Sequence, residues 1–94
     1  MERRKLSETE VSEAIGKLDG WNFEKDSLKK SVKFENFADA LSYVNRVGDV
    51  AEAADHHPDI TFGWGYAEIK LTTHDRSGVT DVDIAVAAQI DAIL

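Results

Sequence analysis

The chain lacks several residue types and patterns that indicate particular classes of protein. Its 94 residues include no cysteine, which excludes disulfide bonds and thiolate metal sites. Its apolar runs are far shorter than the roughly 20 residues that are needed to span a bilayer. The opening stretch MERRKLSETE has no apolar segment behind its charges, so it does not have the pattern of a secretory signal. We therefore expect a cytoplasmic protein with no membrane partner.

Basic residues are also scarce. The chain has 11 Lys and Arg against 18 Asp and Glu, a net charge of -7, and its short basic start is too small to reverse this balance. Because binding to phosphates needs a basic patch, we expect no nucleic acid partner. The length fits one small domain over residues 1–94, and the 43% of apolar residues is enough for one core.

Apolar spacing and turn residues predict seven elements in the order α-β-β-α-β-β-α. The first helix opens with a capping box of Ser7 and Glu10 and is expected to end at Gly20. A hairpin follows, with alternating apolar residues that Lys30 interrupts. The longest helix begins after Asn36 and stops before Pro58, because the residue before a proline avoids the helical conformation.

The second half of the chain predicts another hairpin and a last helix. Gly63 and Gly65 flank Trp64 at the turn, and Thr80 with Asp83 can cap the helix. Two hairpins with interleaved helices predict an α+β fold, with an antiparallel sheet and the helices packed on one face. Exposed sheet edges and the strongly apolar last helix favour a homo-oligomer. Gly48 interrupts the apolar stripe of the longest helix, and close approach of another helix is one explanation.

The three histidines lie in two short stretches, EAADHHPDI and LTTHD. Glu52 and His56 are four residues apart, so on a helix the carboxylate can hold the imidazole. Pro58 turns His57 away from the helix, and His74 stands at the end of a predicted strand, where sites usually form. If the three imidazoles converge, they provide groups that titrate near neutral pH, as proton transfer requires.

Two other interpretations of these histidines remain open from spacing alone. A histidine at a helix C-terminus interacts favourably with the helix dipole, so the pair can be a structural cap. The histidines with Asp55, Asp59 or Asp75 have the ligand types of a zinc or iron site. Adjacent histidines diverge, however, and there is no H-x-H or H-x-x-x-H pair, so we predict no metal site. Trp64 beside glycines can stack on a flat ligand or cover the edge of the core.

AEAADHHPDI, then a Gly-aromatic turn, then LTTHDRSGVTDVDI resembles the pterin-4a-carbinolamine dehydratase family, and FENFADALSYVNRV extends the resemblance to nearly the whole chain. The resemblance implies a four-stranded antiparallel sheet with three helices on one side. It implies dehydration of 4a-hydroxytetrahydropterin to quinonoid dihydropterin, which recycles the pterin cofactor of aromatic amino acid hydroxylases. It implies no metal and no organic cofactor. Members are commonly dimers or tetramers, and some animal members also bind a homeodomain transcription factor.

The resemblance also implies roles for individual residues. His56 and His74 would be the acids near the leaving hydroxyl, and His57 would bind the pterin and assist as base. Glu52 would orient His56, and Trp64 is a further candidate for substrate contact. The other positions that match the family are Asp55, Pro58, Asp59, Thr73 and Asp83. The alternative function is a non-catalytic binding, assembly or transcriptional-cofactor protein on the same fold.

Overall fold

A four-stranded antiparallel sheet, with helices on one face, forms the framework of the computed structural model, which describes residues 3–93. The strands lie in the order β1-β2-β4-β3, so the two hairpins meet at β2 and β4. The elements are α1 (Glu8–Ile15), β1 (Trp21–Glu24), β2 (Ser27–Lys33), α2 (Phe37–Ala54), β3 (Asp59–Gly63), β4 (Tyr66–Leu71), a 3₁₀ turn (His74–Arg76) and α3 (Asp81–Asp91). The predicted order and the α+β architecture are confirmed. None of these helices is long and apolar enough to cross a membrane.

Strand β4 illustrates how the sheet separates its two faces. Ala67, Ile69 and Leu71 are fully buried under the helices, while Glu68 and Lys70 point to the open face. This alternation follows from the two-residue period of a strand and agrees with the sequence pattern. The core combines β4 with apolar residues of all three helices and of the first hairpin.

The first hairpin contains a buried charge. Lys30 occupies an inward position of β2 and is 5% exposed. Its Nζ lies 2.6 Å from Asp91 Oδ1, an atom that also accepts a 2.8 Å hydrogen bond from Trp21 Nε1. Lys30 therefore does not interrupt the inward face of the strand, because a carboxylate from the end of α3 neutralises its charge.

Helix α1 begins as predicted but is shorter than expected. Glu10 N donates to Ser7 Oγ at 3.2 Å, and Ser7 N donates to Glu10 Oε1 at 2.9 Å, which confirms the capping box. The helix ends at Ile15, so the prediction that it continues to Gly20 is wrong. Gly16 has a low helix propensity, and the next two residues form tighter three-residue turns instead.

Helix α2 has the predicted ends. Asn36 Oδ1 accepts a 2.8 Å hydrogen bond from Asp39 N, and the helix stops at Ala54 before Pro58. Gly48 does not mark a close approach of another helix, because a Cβ built there meets no atom within 4 Å outside its own helix and neighbours. The explanation that another helix lies close to Gly48 is therefore wrong for the described residues. Gly48 thus lowers helix propensity without a packing reason in this chain.

Candidate active site

The C-terminal end of α2 determines where the adjacent histidines point. Asp55 adopts the left-handed conformation, with φ 50° and ψ 42°, and its N–H caps the carbonyls of Ala51 and Glu52. His56 N–H then donates to Ala51 O at 3.1 Å. This helix C-terminus resembles a Schellman motif in which a residue other than glycine takes the left-handed position. Because the chain leaves the helix at Asp55, His56 turns inward and His57 turns outward, with 8% of His56 and 56% of the His57 side chain exposed.

His56 is held by a buried carboxylate. Asp83, in the first turn of α3, is fully buried, and its Oδ1 lies 2.5 Å from His56 Nε2. Asp83 Oδ2 accepts from Thr73 Oγ1 at 2.8 Å and from Thr80 N at 2.9 Å. Since these partners are donors, Asp83 serves as a carboxylate acceptor, and Nε2 of His56 carries the proton toward it. Nδ1 is therefore the nitrogen of His56 that is left for the cavity.

The predicted pairing of Glu52 with His56 is wrong. Glu52 Oε2 instead contacts Nε2 of His57, and both side chains are largely exposed. The four-residue rule applies only within a helix, and the left-handed Asp55 removes His56 from the helix before that rule can operate. Both adjacent imidazoles thus have a carboxylate at Nε2, one buried and one at the surface.

His74 completes the group. It begins the 3₁₀ turn three residues after β4 ends and is exposed. The three imidazoles border one open cavity of about 320 Å³. Its lining residues are Arg3, Asp55, His56, His57, Thr72, His74 and Asp75. The convergence of the three histidines, which spacing alone left open, is therefore present in the structure.

The remaining predicted site residues lie at different distances from this cavity. Asp55 lines it, and Thr73 lies behind it, bonded to the carboxylate that holds His56. Pro58 and Asp59 follow the histidines, but neither lines the cavity, and Asp59 begins β3 opposite Lys70. Trp64 is 73% exposed at the other end of β3.

The predicted contact of Trp64 with the substrate is therefore not supported by its position. Five residues of β3 separate the two ends of the strand, which is roughly 16 Å at about 3.3 Å per residue. The glycines beside Trp64 form the β3–β4 turn, with Gly65 at φ 82°, and the histidines are at the opposite end. A hairpin necessarily places its turn away from the start of its first strand.

Two residues of the cavity wall, Arg3 and Thr72, did not emerge from the sequence as site residues. Arg3 Nη2 lies 2.5 Å from Asp75 Oδ1, and Arg3 O accepts a 2.8 Å hydrogen bond from Arg76 Nε. Thr72 contributes the wall next to His74 and donates from Oγ1 to a carbonyl of the first hairpin at 2.6 Å. The two-residue alternation of side chains along a strand could have identified Thr72. No local sequence pattern could have shown that Arg3 contacts residues more than seventy positions away.

The first residues of the described chain reach the site because they pair with its loop. Leu6 N donates to Val79 O at 2.8 Å, and Lys5 forms an isolated bridge with Thr80. These contacts direct the segment before α1 along the entry to α3. Arg3 therefore arrives at the rim through backbone pairing rather than through any feature of its own side chain.

No group of three or more His, Asp or Glu side chains within residues 3–93 has the geometry to hold a metal ion. The three histidines line one shared cavity, and imidazoles are side chains that can donate or accept protons near neutral pH. For His56 and His57, the carboxylate at Nε2 leaves Nδ1 as the available nitrogen. The His74 side chain has no hydrogen-bond partner among the described residues.

Comparisons with known proteins identify the family of this chain. A family model described as Pterin 4 alpha carbinolamine dehydratase matches residues 4–93. A protein of Rubrobacter xylanophilus, whose name assigns it provisionally to the pterin-4-alpha-carbinolamine dehydratases, is 44% identical over 94% of this chain and 83% of its own length. A protein of Sulfurisphaera tokodaii with the same provisional name is 35% identical over 97% of this chain and 98% of its own.

Solved structures extend the comparison to the fold. The crystal structure of a transcriptional coactivator/pterin dehydratase from Brucella melitensis superposes with a TM-score of 0.90. It is 34% identical and the match covers 96% of this chain and 98% of that one. A pterin dehydratase-like protein identified as a RuBisCO assembly factor in the alpha-carboxysome shares the fold, with a TM-score of 0.66 at 24% identity over 80% and 89% of the chains. With a family model that spans nearly every residue and relatives matched over almost their whole length, this chain belongs to the pterin-4-alpha-carbinolamine dehydratase family.

Proposed function

We propose that the protein dehydrates 4a-hydroxytetrahydropterin to quinonoid dihydropterin and water by histidine general acid–base catalysis, as part of tetrahydropterin recycling. The observation that carries this proposal is the convergence of His56, His57 and His74 on one cavity of about 320 Å³. Membership of the family supports the reaction class.

The reaction breaks the C4a–O bond and removes the proton from N5. Hydroxide is a poor leaving group, so an acid has to protonate it as the bond breaks, and a base has to accept the N5 proton. We assign the acid role to His56 and His74 and the base role to His57. One proton enters with the leaving water and one is released from N5, so the enzyme returns to its starting state after proton exchange.

The carboxylates around the site support these roles by orientation. Asp83 fixes the tautomer of His56 from inside the protein, as carboxylates behind catalytic histidines do elsewhere. Glu52 contacts the outer face of His57 and orients it at the surface. We further assign Asp55 to the pterin edge, since it lines the cavity, and Thr73 to the support of Asp83. Asp59 and Pro58 would shape the turn that separates the imidazoles.

A dehydratase assay tests the proposal directly. The carbinolamine is generated by a pterin-dependent hydroxylase, and its decay is compared with and without the purified protein. We expect acceleration over the spontaneous reaction, and a loss of about 10²–10⁴-fold in kcat for His57→Ala. Because the His57 side chain is 56% exposed, its removal should leave the melting temperature nearly unchanged.

Asn45→Ala, on the exposed surface of α2, is the matched control and should keep the wild-type rate. A wild-type protein that does not exceed the spontaneous rate contradicts the proposal. So does a His57→Ala variant that retains full activity, because the assigned base would then be dispensable.

We also propose that the protein acts in the cytoplasm as a homodimer or homotetramer. Among residues 3–93, four large apolar side chains are exposed: Phe37, Leu41, Trp64 and Tyr66. Phe37 and Phe62 also stack with ring centroids 5.6 Å apart, which extends the apolar surface from α2 to the edge strand β3. Light scattering after gel filtration should give a mass of two or four chains, and a monomer at assay concentrations would contradict this.

A binding or assembly role on the same fold is the second candidate. The similar Brucella melitensis protein is described as a transcriptional coactivator as well as a pterin dehydratase, and the exposed apolar residues of this chain offer a surface for a partner. A partner that is retained when all three histidines are replaced by alanine would favour this role. Loss of both activities in that variant would favour the enzyme alone.

A further inference from the structure

A second cavity borders the histidine cavity and differs from it in chemistry. It is a groove of about 480 Å³ lined by the C-terminal end of α2 and by one side of α3. Its apolar walls are Ala54, Val82, Ala85 and Val86. We refer to it as the α2–α3 groove.

The two cavities are continuous through shared residues. Arg3, Asp55 and His56 line both of them. A ligand that contacts His56 in the histidine cavity is therefore in reach of the groove without crossing another element. The apolar residues of the groove have no role in the proton transfers assigned above.

The contrast between the cavities bears on where binding energy can arise. Every residue that lines the histidine cavity is polar or charged, so that cavity can orient a ring through hydrogen bonds. Small-molecule sites are predominantly apolar, with a few polar groups that fix orientation. Contacts to parts of a substrate that do not react can be used to position the reacting atoms. The apolar surface next to the histidines lies in the α2–α3 groove.

The chemistry of the pterin ring determines which part of a substrate can reach the groove. The reaction takes place at C4a and N5, and C6 is bonded to N5. A substituent on C6 therefore leaves the ring directly beside the reacting atoms, and hence beside the imidazoles. Because His56 lies in the walls of both cavities, such a substituent can pass into the groove while the ring stays among the histidines.

We propose that the α2–α3 groove binds the C6 substituent of the substrate and selects pterins whose C6 carries an aryl ring on a short methylene–amine linker, as in reduced folates. This inference rests on the proposed dehydratase function and specifies its substrate class. A flat aryl ring buries apolar area against Ala54, Val82 and Ala85. Gln89, which also lines the groove, offers an amide to a polar group of the substituent.

Arg3 is suited to the polar end of such a substituent. Among the described residues that line the two cavities, it is the only Arg or Lys. Its Nη2 contacts Asp75, and the guanidinium has further donors for a carbonyl or carboxylate. The Arg3–Asp75 pair is exposed, and exposed ion pairs contribute little stability, so the side chain can rearrange at small cost.

Calorimetric binding of two stable dihydropterins tests the groove. The dissociation constants of 7,8-dihydrofolate and 6-methyl-7,8-dihydropterin are compared, since the two ligands share a ring and differ at C6. Wild-type protein should bind dihydrofolate roughly tenfold more tightly or better, from the apolar area that the aryl group buries. Ala85→Trp fills the groove and should bring the ratio of the two constants to about one.

Ala88→Trp is the matched control, because Ala88 is an exposed residue of the same helix that does not line the groove. It should keep the wild-type ratio. Ala85→Leu provides a milder block if Ala85→Trp lowers the melting temperature. Equal affinities of the wild-type protein for the two ligands overturn the inference, as does a ratio that responds alike to Ala85→Trp and Ala88→Trp.

These outcomes are separable from failure of the proposed function. A protein that dehydrates the 6-methyl carbinolamine but binds both ligands equally keeps the function and loses the groove. A protein that prefers dihydrofolate through the groove, yet accelerates no dehydration, keeps the binding site and loses the function.

Discussion

Asp83→Asn is the substitution that most directly examines how His56 is held. The side chain is fully buried and nearly the same size as asparagine, so the change removes a charge and one acceptor without creating a cavity. Asp83 Oδ2 accepts short hydrogen bonds from two donors, Thr73 Oγ1 and Thr80 N, and a longer one of 3.5 Å from Thr80 Oγ1, while Oδ1 faces His56 Nε2. The asparagine oxygen is expected to stay with the two donors, which leaves its amide nitrogen facing His56.

That arrangement would place two hydrogen-bond donors, the asparagine amide and His56 Nε2–H, opposite each other. An Nδ2–H₂ group of asparagine cannot accept from His56 Nε2–H, so His56 has to shift its proton to Nδ1. To act as an acid toward the cavity, His56 has to carry protons on both ring nitrogens at once, with Nε2–H accepted by the Asp83 carboxylate and Nδ1–H directed at the leaving hydroxyl. The asparagine amide nitrogen does not support that doubly protonated form. Loss of a buried hydrogen bond to a charged group costs about 1.5–3 kcal/mol of stability. Loss of a correctly protonated acid lowers kcat by about 10²–10⁴-fold.

Two measurements separate these effects. Denaturant unfolding gives the change in stability, and nitrogen NMR of the histidine rings reports which nitrogen of His56 carries the proton. Dehydratase kinetics then give kcat and KM. Asp49→Asn, at an exposed position of α2, is the matched control and should change none of them. If His56 keeps its proton on Nε2, or if kcat falls less than threefold while the protein stays folded, the positioning role of Asp83 is refuted.

Further predictions concern stability. Gly48→Ala should stabilise the protein by about 0.5–1 kcal/mol, because an added Cβ meets no other part of the chain in a helix interior. Gly65→Ala should destabilise it by about 1–2 kcal/mol, because φ is 82° there. Urea unfolding measures the free energy of unfolding of both variants, and a change of the same sign and size in the two would contradict the reasoning. Asp91→Ala leaves the Lys30 ammonium buried without its carboxylate and should cost about 3 kcal/mol, most of which Lys30→Met in the same chain should restore. Burial acts to raise the pKa of Asp91, but hydrogen bonds led by the one from Lys30 lower it below 3.8. The contribution of the ionised carboxylate to folding stability is therefore complete above about pH 4, and it is lost as the pH falls through the lower pKa of the folded state. Unfolding midpoints from pH 6 to pH 2 should therefore fall less steeply in Asp91→Ala than in the wild type.

The sequence predicted the elements well where the signals are local. The capping box at Ser7 and the cap at Asn36 depend on residues three positions apart, and both are present. The predicted end of α1 at Gly20 failed because two glycines compete to end the same segment, and the nearer one, Gly16, prevails. Lys30 could not be placed from its strand, since its partner Asp91 is sixty-one positions away.

The candidate site also combines features that local sequence predicted with features that only the tertiary structure decided. The histidine stretches were identified from spacing and from the family they resemble, and the structure brings all three imidazoles to one cavity. The pairing of Glu52 with His56 was wrong because a single left-handed residue, Asp55, ends the helical relation between them. Trp64 was a reasonable candidate by composition, but the length of β3 separates it from the histidines.

The amino-acid sequence by itself determined the order of the elements, their caps and the residue types available for proton transfer. Each of these depends on side chains within about one helical turn or one strand repeat of each other. Tertiary structure alone decided that Asp83 holds His56, that Arg3 reaches the cavity rim and that an apolar groove adjoins the histidines. Those contacts join residues 27 and 72 positions apart, and only packing of α3 and the first residues against the end of α2 brings them together.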